Sequence, residues 1–81
     1  MLKLQNEVSE DLSDKIRQLR KVKKLSQQQL ANKSGVSLGS LKRFERTSQI
    51  SLESLLKIAM VLGRLNDFDQ LFQPQDELPA T

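Results

Sequence analysis

Apolar residues recur along most of the chain at helical spacing. Leu12, Ile16 and Leu19 stand at i, i+4 and i+7, and Val22 and Leu25 continue that side. Ser9 before Glu10 and Asp11 supplies a cap and then acids at the positive end of a helix dipole, while Lys21, Lys23 and Lys24 place cations at its negative end. These signals predict a first helix over about 9–24. Ser26-Gln27-Gln28-Gln29 is a capping box, Leu30 and Ala31 follow it, and Gly35 is a left-handed stop, so a short second helix is expected over about 27–34. Ser37 caps a third helix, about 38–46, with Leu41 and Phe44 on one face. After the loop Thr47-Ser48-Gln49-Ile50, Ser51 caps a fourth helix carrying Leu52, Leu55, Leu56, Ala59 and Leu62, which Gly63 ends. A fifth, about 66–72, starts at Asn66 and carries Phe68, Leu71 and Phe72. Only Leu2 and Leu4 alternate as strand residues do, and they read either as a free arm or as an edge strand pairing with a second copy. The expected organisation is an N-terminal arm (1–8), one all-α domain (9–72) and a C-terminal tail (73–81) with two prolines and two acids.

Composition changes the picture by exclusion. The 81 residues make room for one small domain. There is no Cys, His, Trp or Tyr. Zinc fingers, iron–sulfur sites and disulfide scaffolds need Cys or His, as do a histidine general base and a thiolate nucleophile. Asp67 and Asp69 are two apart and diverge on a helix, so they make a poor catalytic pair. No metal, cofactor or small-molecule substrate is therefore expected, and no enzyme. No apolar run of about 18 residues is present, and the N-terminus lacks the apolar stretch of a secretory signal, so no membrane partner and a cytoplasmic location are expected.

Charge is unevenly spread. Lys15 to Arg46 holds ten basic residues and one acid, Glu45, a net +9; the three basic and nine acidic residues outside it net −6, within an overall +3. A basic centre between acidic ends suits a polyanion, although Lys-rich helix faces also occur simply as solvated surface.

Two short helices separated by about three residues, with glycine in the turn, form a helix-turn-helix pattern. Ala31 is small where the helices cross, and Gly35 permits a positive φ. Val36 and Leu41 fill the gap between them, with Leu30 toward the core. Residues 12–63 resemble the lambda-repressor-like (Xre/Cro) helix-turn-helix family. The segments that carry the resemblance are Ile16-Arg17-Gln18-Leu19-Arg20, Leu25 through Ala31, Ser34-Gly35-Val36-Ser37, Leu41 through Arg46, and Ser51 through Ala59. The resemblance implies a compact five-helix domain that binds a double-stranded DNA operator as a homodimer.

It also implies roles. Gln27 matches a glutamine that bonds a DNA phosphate and braces the recognition helix. Leu38, Gly39 and Arg43 match base readers, with Lys42 and Ser37 at the margin, and Arg20 and Glu45 match a buried ion pair tying the first helix to the third. Polar residues are usual at the places of Leu38 and Gly39. Leu38 offers only contact to a thymine methyl, and Gly39 only close backbone approach, so hydrogen-bonded readout falls mainly on Arg43, whose fork suits guanine O6 and N7. The other reading of Arg43 is a phosphate contact. Lys33, Arg46 and Ser48, with Ser37 and Gln27, are expected on phosphates, and Lys42, at the margin of the base readers, reads more readily as a phosphate contact than as a base contact. Leu65, Phe68, Leu71 and Phe72 read either as ordinary core or as a dimer interface.

The implied function is a sequence-specific transcriptional repressor on a palindromic operator. The block Arg43 through Thr47 with Ile50 through Ala59, followed by Leu65 through Phe72, is also similar to the antitoxin of Hip-type toxin–antitoxin modules. That similarity implies autoregulation of a toxin–antitoxin operon, with a kinase-like toxin as partner. The alternative is a small helical protein-interaction module, neutralising a toxin or serving as an adaptor, with weak or no DNA binding. Salt-dependent binding to a palindromic duplex separates the two.

Overall fold

Four α-helices and two 3-10 helices follow one another through residues 3–77, the part of the chain that the computed structural model describes. They are α1 (Gln5–Val22), α2 (Gln27–Ser34), α3 (Leu38–Thr47), α4 (Leu52–Val61) and the 3-10 helices Leu65–Gln70 and Pro74–Glu77. No strand occurs among the described residues. Leu2 and residues 78–81, which the strand and tail expectations include, lie outside them.

The caps of α2, α3 and α4 stand where the sequence puts them. Ser26, Ser37 and Ser51 accept from the backbone N–H groups of Gln29, Ser40 and Ser54. Gln29 completes the capping box by accepting from the Ser26 N–H at 2.8 Å. At the far end of α4, Gly63 adopts φ +71°, its N–H donates to the Met60 carbonyl, and that of Arg64 donates to Ala59. That is the paired closure of a Schellman motif.

Three expectations need correction. The first helix begins at Gln5, four residues before Ser9, and takes in half of the expected arm. Ser9 is an interior residue whose hydroxyl donates to the Gln5 carbonyl at 3.2 Å. Leu4, Val8 and Leu12 continue the apolar spacing upstream, Glu7 supplies a first-turn acid, and Lys3 pairs with Asp11, so the helix has reason to continue past its best capping residue. The Lys3 ammonium also holds the Asp11 carboxyl below the usual carboxylate range.

The buried stripe of α1 is also rotated from the expected one. Ser13, Ile16 and Arg20 are buried, whereas Leu12 is only partly covered and Val22 is exposed. Finally, the fifth helix is a 3-10 helix, not an α-helix. Leu65, Phe68 and Leu71 recur every three residues, which lines them up on one face at three residues per turn. Phe72 follows with φ 53° and lies outside the helix.

The core is small and contributed by every α-helix: Ile16, Leu30, Ala31, Val36, Leu41, Phe44, Leu55, Ile58 and Leu62. Phe44 at its centre fixes one face of α3 inward. Helix α2 packs on α3 and α4, and α1 packs on α3. One consequence governs function: α3 is held from two sides, and its remaining face is left to solvent.

Candidate nucleic-acid interface

The turn Gly35-Val36-Ser37 joins α2 to α3. Gly35 takes φ +79°, its N–H closes α2 on the Ala31 carbonyl at 2.9 Å, and Val36 plugs the core beneath. Ser37 then caps α3: its hydroxyl accepts the Ser40 N–H at 3.1 Å and donates to the Ser40 hydroxyl at 2.9 Å.

With Leu41 and Phe44 buried, helical geometry turns Gly39, Lys42, Arg43 and Arg46 outward along α3, and all four are exposed. Lys33 is exposed at the end of α2. Leu38 differs from the expectation of a free base reader, because it is half-buried and packs against the core. Ser48 differs as well. It ends α3 in the left-handed region (φ 64°), and its hydroxyl lies 2.7 Å from that of buried Ser13. Ser13 donates to the Glu10 carbonyl, so the Ser48 hydroxyl donates inward, away from any phosphate.

Arg20 and Glu45 meet across α1 and α3. Arg20 Nε donates to Glu45 Oε2 at 2.8 Å and Nη2 to Oε1 at 3.0 Å, while Nη1 caps the Leu25 carbonyl at 2.9 Å. The two side chains are 10% and 6% exposed. Gln27 Nε2 adds a third donor to the carboxylate at 3.1 Å. Gln27, expected both to bond a phosphate and to brace the recognition helix, reaches α3 through Glu45, and its amide nitrogen retains a second N–H.

A helix-turn-helix family model matches residues 16–66, well over half of the chain. The chain belongs to the lambda-repressor-like helix-turn-helix family. No curated protein and no solved structure matches it in the corresponding comparisons. The family is one of DNA-binding transcription regulators and not of enzymes. No helix among the described residues is long and apolar enough to cross a membrane.

Within this helix-turn-helix domain, sequence reasoning missed Gln49. Its Oε1 accepts from Arg43 Nη2 at 2.7 Å, beside a cleft of about 320 Å³ lined by Ser40, Ile50, Ser51 and Ser54. The polar stretch 47–49 carries no periodic signal to mark it.

Gly39 is the second residue of α3, without a left-handed φ, and a β-carbon there would meet nothing within 4 Å. The fold does not require glycine at this position. Gly39→Ala is expected to raise the unfolding free energy by about 0.5–1 kcal/mol. A higher urea midpoint at unchanged slope would show this, and a lower midpoint would mean that the backbone needs glycine after all.

An apolar groove runs along α1, lined by none of the outward residues of α3. One part, about 350 Å³, lies between α1 and the α4 end, lined by Leu12, Leu19, Val22, Leu62 and Phe68. It continues into a second part of about 410 Å³ whose rim carries Leu71 and Phe72. Of the four residues expected at an interface, Phe68 packs partly on the core, whereas Leu65, Leu71 and Phe72 are exposed, Phe72 by 94%.

Proposed function

We propose that this helix-turn-helix protein is a sequence-specific transcriptional repressor, binding a palindromic operator as a homodimer and occluding a promoter. The observation that carries the reading is the outward stripe of α3, Gly39, Lys42, Arg43 and Arg46, on a helix fixed from behind by the Arg20–Glu45–Gln27 cluster. A rigidly backed basic helix of this kind enters a major groove with its N-terminal part toward the bases. Arg43 reads a base, with Lys42, Gly39 and the exposed part of Leu38 beside it. Lys33, Arg46 and the free N–H of Gln27 take phosphates, and so does Ser37 once its hydroxyl hydrogen turns from the exposed Ser40 hydroxyl to the phosphate. Ser48 is not in this set.

The second copy docks on the apolar groove through Leu65, Phe68, Leu71 and Phe72. A ridge, Leu71-Phe72, stands beside a groove on one face, and the rim carries Lys3, Lys15 and Arg64 together with Asp11 and Asp67. Ridge beside groove and both signs of charge suit a two-fold pairing of one surface with itself.

The test is duplex binding at several salt concentrations with sedimentation in parallel. Two or three cationic phosphate contacts per subunit of a dimer predict a log–log salt slope of roughly −4 to −5. Phe72→Asp is expected to give a monomer that loses most operator affinity. A slope near zero favours the protein-interaction reading. A Phe72→Asp dimer, or a kinase-like protein seated on that face in place of the second copy, overturns the docking assignment.

A further inference from the structure

The loop after α3 is built to a fixed position. Ser48 is tied to buried Ser13 by its hydroxyl and to the Phe44 carbonyl by its N–H at 2.8 Å. Thr47 Oγ1 donates to the Arg43 carbonyl at 2.7 Å and accepts the Gln49 N–H at 3.3 Å. The backbone of Gln49 is thus referenced both to the core and to Arg43 itself. Its side-chain oxygen then accepts from Arg43 Nη2 at 2.7 Å.

We propose that Gln49 is a positioning residue for sequence readout, holding one N–H of the Arg43 guanidinium so that the rest of the fork faces a guanine. The inference rests on the reading of Arg43 as a base reader. A guanidinium has five N–H donors in a rigid plane, and guanine O6 and N7 require two of them. Gln49 occupies one and leaves enough for the base. A long exposed side chain otherwise samples many rotamers, most of which point its fork elsewhere, and one fixed hydrogen bond at the tip removes many of them. An amide does this without neutralising the charge, which a carboxylate at the same place would oppose beside DNA phosphates.

The experiment selects binding sites from a library of randomised duplexes with the full chain and three variants, Arg43→Ala, Gln49→Met and Gln49→Glu. Methionine keeps the length and removes the acceptor; glutamate keeps the acceptor. Arg43→Ala is expected to erase the preference at one base pair in each half-site. Gln49→Met is expected to weaken discrimination at that same base pair about three- to tenfold, the worth of one hydrogen bond. Its thermal midpoint and its affinity for a random duplex should stay unchanged. Gln49→Glu is expected to keep the base preference while binding every duplex more weakly. If Gln49→Met leaves intact a preference that Arg43→Ala erases, the positioning role is wrong and the Arg43 reading stands. Sharper discrimination by Gln49→Met means that Gln49 competes with the base, which also overturns the role. If Arg43→Ala changes no base preference, the reading beneath it has failed, and Gln49 falls with it.

Discussion

Replacing Glu45 with alanine is expected to destabilise the domain by about 3–5 kcal/mol, a large part of the total stability of so small a protein. The cause is what remains behind. Arg20 is buried against α1 and α3, with Nε and Nη2 on the Glu45 carboxylate and only Nη1 on the Leu25 carbonyl. Removing the carboxylate leaves a guanidinium charge out of water with most of its donors unpaired. It also frees the Gln27 amide that reaches the same oxygen from α2. Arg20→Met with Glu45→Leu removes both charges together and is expected to lie close to the wild type, because the pair's attraction and its desolvation nearly offset. Urea unfolding of Arg20→Met, Glu45→Leu and the double variant closes the cycle. A destabilisation below about 1 kcal/mol for Glu45→Ala would place this pair with solvated surface bridges and remove it as the brace of α3.

Arg43→Ala is expected to weaken binding to the selected operator by about 1–3 kcal/mol per half-site, the worth of one bidentate base contact. Binding to random duplex should fall much less. Arg46→Ala and Lys33→Ala should behave differently: each weakens all duplexes alike and lowers the salt slope by about 0.9 for every phosphate left without its cation. Competition binding at two salt concentrations separates the two patterns. An equal weakening on operator and random duplex for Arg43→Ala would move this residue to the phosphate group. The distinction matters because α3 offers few other hydrogen-bonding readers. Gly39 has no side chain and Leu38 is half-committed to the core. On the proposed reading, specificity beyond Arg43 and Lys42 falls on the shape and deformability of the duplex.

How much of this is legible in the sequence follows from where each signal resides. The starts of α2, α3 and α4 rest on serine caps and the ends of α2 and α4 on Gly35 and Gly63, whose effects act within a few residues, and local chemistry reads them well. The start of α1 departs from the expected one because Ser9 offers a good cap, worth about 1 kcal/mol, while the upstream apolar spacing and the Lys3–Asp11 pair extend the helix past it. The fifth helix departs from α form although Phe68, Leu71 and Phe72 stand at the α spacing i, i+3 and i+4: six residues hold few i→i+4 bonds, and Leu65, Phe68 and Leu71 line one face of a 3-10 helix equally well. The roles of Gln27, Ser48 and Gln49 are beyond local reading. Each depends on a partner at least six residues away: Glu45, Ser13 and Arg43.

The sequence by itself determined the helix-turn-helix: its caps, its turn glycine, its apolar positions and the basic centre between acidic ends. Those features depend on residue type and short spacing, which a linear chain carries in full. Only the tertiary structure decided which face of α1 is buried, how Gln27 shares the carboxylate of Glu45, and that Ser48 turns inward while Gln49 meets Arg43. These depend on the packing of α1, α2 and the loop after α3, where burial makes an unpaired polar group costly and so selects one arrangement among those that local spacing allows.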